Sequence, residues 1–257
     1  MSGTVEDKVV IVTGGGSGIG EAAALRLARG GAHVIIADMN AAHGTRVVQK
    51  IQGMGEKAKY IAVDVSKEEQ VEAMVRSVIE DCGRLDAAFN NAGIGTMPAS
   101  VTDTSEADWA RVISVNLTGV FLCIKHEIRA MLKTGGGAIV NTASVGGLRG
   151  VPMQIAYSAS KHGVIGITRT IAAEHAKAGI RVNAVCPGVV DTPATSGMGI
   201  DWNTVVPVPM GRIAQASEVA DMVFWLLSEQ SSYVTGQALA IDGGMTATTF
   251  TPPGYQE

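Results

Sequence analysis

Short apolar runs recur along the chain at 9–12, 34–37, 60–63, 87–89, 138–140 and 182–185, each followed by a polar or glycine break. A seventh run lies at 238–241. Between them lie stretches whose apolar residues fall at helical spacing, such as 21–29, 68–82 and 106–133. A strand that is apolar on both faces needs cover on both faces, which a parallel sheet obtains from its crossover helices. The repeat of strand, helix and strand therefore predicts an α/β chain with one doubly wound sheet. That sheet has about seven parallel strands, right-handed crossovers and helices on both faces. Ligands of such sheets sit at the carboxyl ends of the strands.

Composition supports one large unit. Hydrophobic residues make up 46% of the 257 and charged residues 17%, enough apolar content for a substantial core. Disorder and a small disulfide scaffold are excluded. We read residues 1–257 as a single domain. Gly135, Gly136 and Gly137 mark a helix stop before a strand, not a linker. The stretch 191–209 holds Pro193, Pro207 and Pro209 among apolar residues and is expected to be an irregular, functional loop over the substrate. The tail 248–257 is expected to be loose. Twenty basic against 24 acidic residues, net −4, leave no basic surplus for a phosphate backbone, so no nucleic-acid partner is expected. No apolar run of membrane-spanning length is found, so no membrane partner is expected either. Residues 1–8 read as a polar lead and not a signal peptide, which points to the cytoplasm. Cys82, Cys123 and Cys186 are odd in number and lack metal spacing; they are expected to be buried free thiols in a reducing compartment, with no metal bound.

The turn after the first strand runs Thr13-Gly14-Gly15-Gly16-Ser17-Gly18-Ile19-Gly20 and opens the first helix. Glycine lets the backbone turn tightly and approach a diphosphate, and the helix N-terminus offers N–H groups and a partial positive charge. Asp38 follows the second strand. A carboxylate there accepts from both hydroxyls of an adenosine ribose and repels a 2′-phosphate. No Arg or Lys stands at 15–17 or 39–40 to receive such a phosphate. The expected cofactor is NAD.

Tyr157 and Lys161 stand four residues apart, on one face of a helix, and Ser144 precedes the tyrosine by thirteen. With the glycine turn, Asp64, Asn90-Asn91-Ala92-Gly93, Asn116 and Pro187-Gly188 in that order, the chain resembles the short-chain dehydrogenase/reductase family. The resemblance is to its single-domain form and runs almost end to end. It implies a Rossmann domain and a catalytic tetrad of Asn116, Ser144, Tyr157 and Lys161. Tyr157 would exchange a proton with the substrate oxygen while hydride passes at the nicotinamide. Ser144 would hold that oxygen, Lys161 would bind the nicotinamide ribose, and Asn116 would hold a water that relays protons from Lys161. An ammonium about 4 Å from the phenol, at an effective dielectric near 20, would favour phenolate by roughly 4 kcal/mol. Cofactor contacts implied by the resemblance are Gly14, Ser17, Gly18, Ile19, Asp38, Asp64, Val65, Asn90, Gly93, Tyr157, Lys161, Pro187, Val190 and Thr192. Asp191-Thr192-Pro193 equally suits a capping turn. A homotetramer is also implied.

The positions that face substrate in this family hold Val145, Gly146, Val151, Met153, Gln154, Val189, Met198, Ile200 and Trp202. That wall is apolar except for Gln154, and Arg149 is the one nearby cation. The expected substrate is a small hydrophobic secondary alcohol or ketone, cyclic or aryl-alkyl. The same apolar positions also suit core or a subunit interface. The alternatives are a 3-oxoacyl or other ketoreductase of the same family, or a non-catalytic NAD-binding sensor. An enoyl reductase relative would space its tyrosine and lysine further apart.

Overall fold

A computed structural model describes residues 5–197, 199, 201–205 and 208–247, with no statement about the side chains of 203 and 204. Seven parallel strands form one sheet: β1 (Val9–Thr13), β2 (His33–Asp38), β3 (Ala58–Ala62), β4 (Ala87–Asn90), β5 (Gly137–Thr142), β6 (Ile180–Pro187) and, last in the chain, β9 (Ala238–Ile241). Their order across the sheet is β3-β2-β1-β4-β5-β6-β9. A two-stranded ribbon, β7 (Val190–Asp191) with β8 (Ala214–Gln215), stands apart.

Alternation along each strand feeds two cores. Val9 and Ile11 of β1 pack into one, with Val71, Met74, Val75 and Val78 of α3 (Glu68–Cys82). Val10 and Val12 pack into the other, with α1 (Gly18–Ala28), α2 (Ala41–Gly53) and α9 (Ala216–Leu227). The sheet reverses its winding between β1 and β4, and in such folds the crevice above that reversal takes ligands.

Four local expectations are corrected. The third strand begins two residues early and is half exposed, because β3 is an edge: Lys59 faces outward to pair with Asp81. The helix expected over 106–133 is α4 (Glu106–Ile113), a five-residue π-helical segment Ser114–Thr118, and α5 (Gly119–Thr134). Together these make one 29-residue helix that is long and apolar enough, by length and composition, to cross a membrane. Here it lies on the sheet, with Val120, Ile124, Ile128 and Met131 in the core. The stretch 191–209 is less irregular than expected: it holds α7 (Pro193–Ser196) and α8 (Trp202–Val205). Cys123 and Cys186 are buried as expected, whereas Cys82 is half-buried at the end of α3. The tail 248–257 lies outside the described residues.

Gly135 closes α5 with φ 95°, the left-handed stop expected there. The two mid-helix glycines of α6 (Ile155–His175) differ. A Cβ on Gly163 would lie 2.7 Å from the Leu117 side chain, whereas one on Gly166 would meet nothing within 4 Å. Only the first needs a close approach inside the described chain.

Candidate active site

The glycine turn leaves β1 against β4. A Cβ on Gly14, whose φ is 62°, would lie 2.9 Å from Ala92 Cα. Thr13 Oγ1 accepts from the amides of Asn91 and Ala92 at 3.0 and 3.1 Å, so the two strand ends move as one piece. Ser17 caps α1 with extended backbone but no side-chain hydrogen bond, leaving the first-turn amides of the helix for another acceptor. Gly18 faces Thr192, whose methyl would lie 3.3 Å from an added Cβ. Ile19 is half-buried against the second core.

Asp38, at the end of β2, accepts from the Gly16 and Asn40 amides, both at 2.9 Å. The loop thus presents a carboxylate whose two oxygens keep further acceptor capacity. A cation does approach the turn, and the sequence pattern missed it: Arg46 of α2 donates to Gly16 O at 2.9 Å and pairs with Glu21 at 2.6 Å. Asp64 follows β3, and its Oδ1 accepts from the Ser66 amide and hydroxyl. Val65 is buried against Gly119. The Asn90 side chain turns inward to Glu127 and Asn141, beneath the crevice. Pro187 ends β6 beside Ile241. The Val190 carbonyl and the Thr192 hydroxyl both bond Thr195, and Thr192 caps α7. These residues, expected from the sequence to hold a dinucleotide, stand at or just beyond the carboxyl ends of β1, β2, β3, β4 and β6, with the Asn90 side chain turned inward.

Ser144 lies two residues past β5 and accepts from the Gly146 amide at 3.0 Å. An added Cβ on Gly146 would lie 3.0 Å from Val151, 3.4 Å from the Tyr157 ring and 3.5 Å from Ser144 Oγ, so this glycine lets the three converge. Tyr157 and Lys161 project from α6, one turn apart. Burial raises the phenol's pKa above its ordinary value, and a hydrogen bond with Ser144 draws it back. Lys161 is 3% exposed and donates to the Thr142 carbonyl at 2.7 Å. Its Nζ lies 5.6 Å from the Tyr157 ring centroid. Burial pulls the ammonium down to about 8, with Cys186 acting the other way. Burial is thus the leading influence on each of the two groups.

Asn116 sits in the π-helical segment, where the extra residue per turn widens the backbone. Its amide clasps the Ile94 peptide, Oδ1 accepting at 2.8 Å and Nδ2 donating at 2.9 Å. Gly93 stands between Asn116 and Lys161: a Cβ there would lie 3.3 Å from Asn116 Oδ1 and 3.7 Å from Lys161 Nζ. The missing side chain leaves a small polar gap beside both.

On the approach to Tyr157, Val145, Val151 and Gln154 are half-buried. Met153 is exposed and holds a φ of 66°, uncommon for a residue with a side chain. Its carbonyl accepts from Ala99 at 2.8 Å, which straps the segment after β4 across the start of α6. A cavity of about 450 Å³ opens on one side of this strap, lined by Val101, Val151 and Pro152 among others. A second of about 220 Å³ opens on the other, toward Thr96, Met97 and Gln154. Sequence reasoning missed the 96–101 wall, which carries no charge or catalytic type to mark it. Trp202 folds back to donate to Thr195 O at 3.1 Å, and Arg149 donates to Met245 O. Met198 and Ile200 lie outside the described residues.

A family model described as enoyl-(acyl carrier protein) reductase matches residues 14–246. The 2,5-dichloro-2,5-cyclohexadiene-1,4-diol dehydrogenase of Sphingobium indicum is 44% identical over 248 residues, spanning 93% of this chain and 97% of that one. The cyclohexanol dehydrogenase of Acinetobacter sp. (strain SE19) is 42% identical over 247 residues, spanning 96% and 98%. The chain belongs to the short-chain dehydrogenase/reductase family. The crystal structure of levodione reductase, a further member, superposes with a TM-score of 0.90 at 39% identity, covering 95% of this chain and 99% of that one. The chain's relatives, named as dehydrogenases and reductases of alcohols and ketones, set it with the oxidoreductases of secondary alcohols and ketones and not with the enoyl reduction in the family model's description.

Proposed function

We propose that this oxidoreductase interconverts a small cyclic secondary alcohol and its ketone, with NAD(H) as cofactor and Tyr157 exchanging the proton. The observation that carries the reading is the contact of Ser144 with Tyr157, with Lys161 one turn further and Val151 converging on them around Gly146. Cyclic substrates are named for the two dehydrogenases and the reductase above, and the half-buried valines suit a ring without charge.

The chain's own residues would act as follows. Ser144 donates to the substrate oxygen and fixes it against the phenol. Tyr157, held protonated by burial, gives its proton to a ketone; in the reverse direction it must first lose that proton. Lys161 and Asn116, flanking the gap at Gly93, return the proton to solvent through a water held between them. Val145, Val151, Met153 and Gln154 form the substrate wall. Ser17 to Ile19 and the first turn of α1 hold a diphosphate, and Asp38 takes the ribose hydroxyls. A bound nicotinamide dinucleotide supplies the acceptor or donor of hydride.

The fit to a dinucleotide rests on the uncapped α1 amides and on a turn too tight for side chains at Gly14. Asp38 supports NAD over NADP, and Arg46 does not reverse this because Glu21 already holds its charge. We also propose a cytoplasmic homotetramer. Trp109, Phe121 and Leu132 are exposed on the long helix and suit a subunit contact. A panel of cyclic alcohols and ketones, followed at the nicotinamide absorbance with NAD(H) and NADP(H), tests the reading. Turnover of charged or carrier-linked substrates alone would overturn it.

A further inference from the structure

Beneath the crevice, two buried polar atoms lack a hydrogen-bond partner among the described residues: Asn90 Oδ1 and Glu127 Oε1. Their residues are 1% and 0% exposed. Asn90 Nδ2 donates to Glu127 Oε2 at 2.9 Å and to Asn141 Oδ1 at 3.2 Å, and Asn141 Nδ2 donates to Thr168 Oγ1 at 3.0 Å. The chain of bonds thus links α5, β4, β5 and α6, ending at the carboxyl. An ionised carboxylate only accepts, so it leaves both orphan atoms unserved. One proton on Oε1 turns that oxygen into a donor.

We propose that Glu127 is held as a neutral carboxylic acid that donates from Oε1 to Asn90 Oδ1, closing a reciprocal acid–amide pair that positions the dinucleotide crevice. The positioning half rests on the dinucleotide reading given above; the acid–amide pair stands without it. Asn90 ends β4, and the next two amides hold Thr13 Oγ1. The Asn91 side chain donates to the Thr13 and Gly14 carbonyls, both at 3.3 Å. A shift of Asn90 is therefore passed directly to the glycine turn.

The surroundings favour the neutral form. From its own helix the Cys123 thiol faces Glu127, from β4 the Asn90 amide, and beyond Asn90 stand Asn141 of β5 and Thr168 of α6. On α5, the neighbouring Lys125 and His126 turn to Glu68 of α3. No charged group helps set the Glu127 pKa: burial raises it to about 7, and the Asn90 hydrogen bond opposes this. Loss of the proton places a carboxylate against an amide oxygen with no cation at hand, and the turn above loosens.

Two measurements on the whole protein test this. The infrared difference spectrum of wild type against Glu127→Gln, at about pH 6, should show the carbonyl stretch of a protonated acid, fading as pH rises past about 7. A carboxylate signal alone at pH 6 would overturn the pair and point to a bridging water. NADH dissociation constants should rise about fivefold between about pH 6 and 8.5 in wild type, the lower end of ordinary coupling. Glu127→Gln, whose amide keeps both bonds at every pH, should lack this rise and show only the change that Lys161, held near about 8, imposes on both proteins. Parallel curves for the two proteins would overturn the positioning role. An acid band with no NADH or NADPH binding by either protein would overturn the positioning role through the dinucleotide reading, leaving the pair intact. Should the Gln variant fail to fold, the pH titration of the wild-type acid band decides the pair.

Discussion

Lys161 donates a hydrogen bond to the Thr142 carbonyl at 2.7 Å and keeps its Nζ 5.6 Å from the centre of the Tyr157 ring. The two side chains share a helix face, Lys161 buried and Tyr157 half-buried, and each answers first to desolvation. Burial pushes the tyrosine up and the lysine down to about 8. A site in this condition holds the proton that a ketone needs and must be driven to release it for an alcohol.

That ordering predicts opposite pH responses. Because burial raises the Tyr157 phenol, kcat/KM for alcohol oxidation should climb as pH rises above neutral, while ketone reduction stays level or falls. Tyr157→Phe should lower both by about a hundredfold to ten-thousandfold with NADH affinity unchanged. Steady-state pH profiles and fluorescence titration of NADH check the two parts. An oxidation rate already level at neutral pH would contradict the picture.

Asp38 should govern the choice of dinucleotide. Asp38→Ala removes the charge facing the ribose and should raise the ratio of kcat/KM with NADP to that with NAD about tenfold, near 1.4 kcal/mol. The ratio is the useful readout, because losing the acceptor for Gly16 and Asn40 loosens the turn for both cofactors alike. An unchanged ratio would remove Asp38 from the ribose site.

The gap at Gly93 should be sensitive to a single methyl. Gly93 has no positive φ, so alanine is tolerated by the backbone, but its Cβ enters between Asn116 and Lys161. Gly93→Ala should keep the melting temperature and lower kcat about tenfold to a hundredfold. A variant with full activity would show that no proton route crosses that gap.

Glu127 should leave its mark on stability. Its carboxyl titrates near 7 when folded and near its ordinary 4.5 when unfolded, so the folded chain holds the extra proton between those values. Stability is then full below about pH 4.5, falls as pH rises to about 7, and levels off above. The loss amounts to about 3 kcal/mol at most. Glu127→Gln should melt like wild type near pH 5 and above it near pH 8. Melting curves that differ by the same amount at both pH values would refute the assignment.

Much of the sheet was legible because its residues answer to one rule. Val9 to Val12 are apolar at every position since each face meets a helix layer, and the run at 238–241 matched β9 residue for residue. β3 was misplaced because an edge strand mixes Lys59 and Tyr60 into the pattern. The residues of the candidate site announced themselves by type and spacing, and the chain does bring Ser144, Tyr157, Lys161 and Asn116 near one another. What spacing could not reveal was degree of burial. It controls Lys161, and it hides Glu127 in a helix that reads as ordinary amphipathic sequence. Nor does any local pattern betray the Ala99 strap, a contact between segments more than fifty residues apart.

The π-helical segment at Ser114–Thr118 ties two properties of one helix together. A π-helical turn takes up one more residue than an α-turn, without rotating the helix that follows. The extra residue holds Asn116 against Ile94 while Val120, Ile124 and Ile128 stay in the core. The wide turn thus absorbs its surplus locally: deleting one residue within 114–118 should erase the polar elbow and leave the downstream packing in phase.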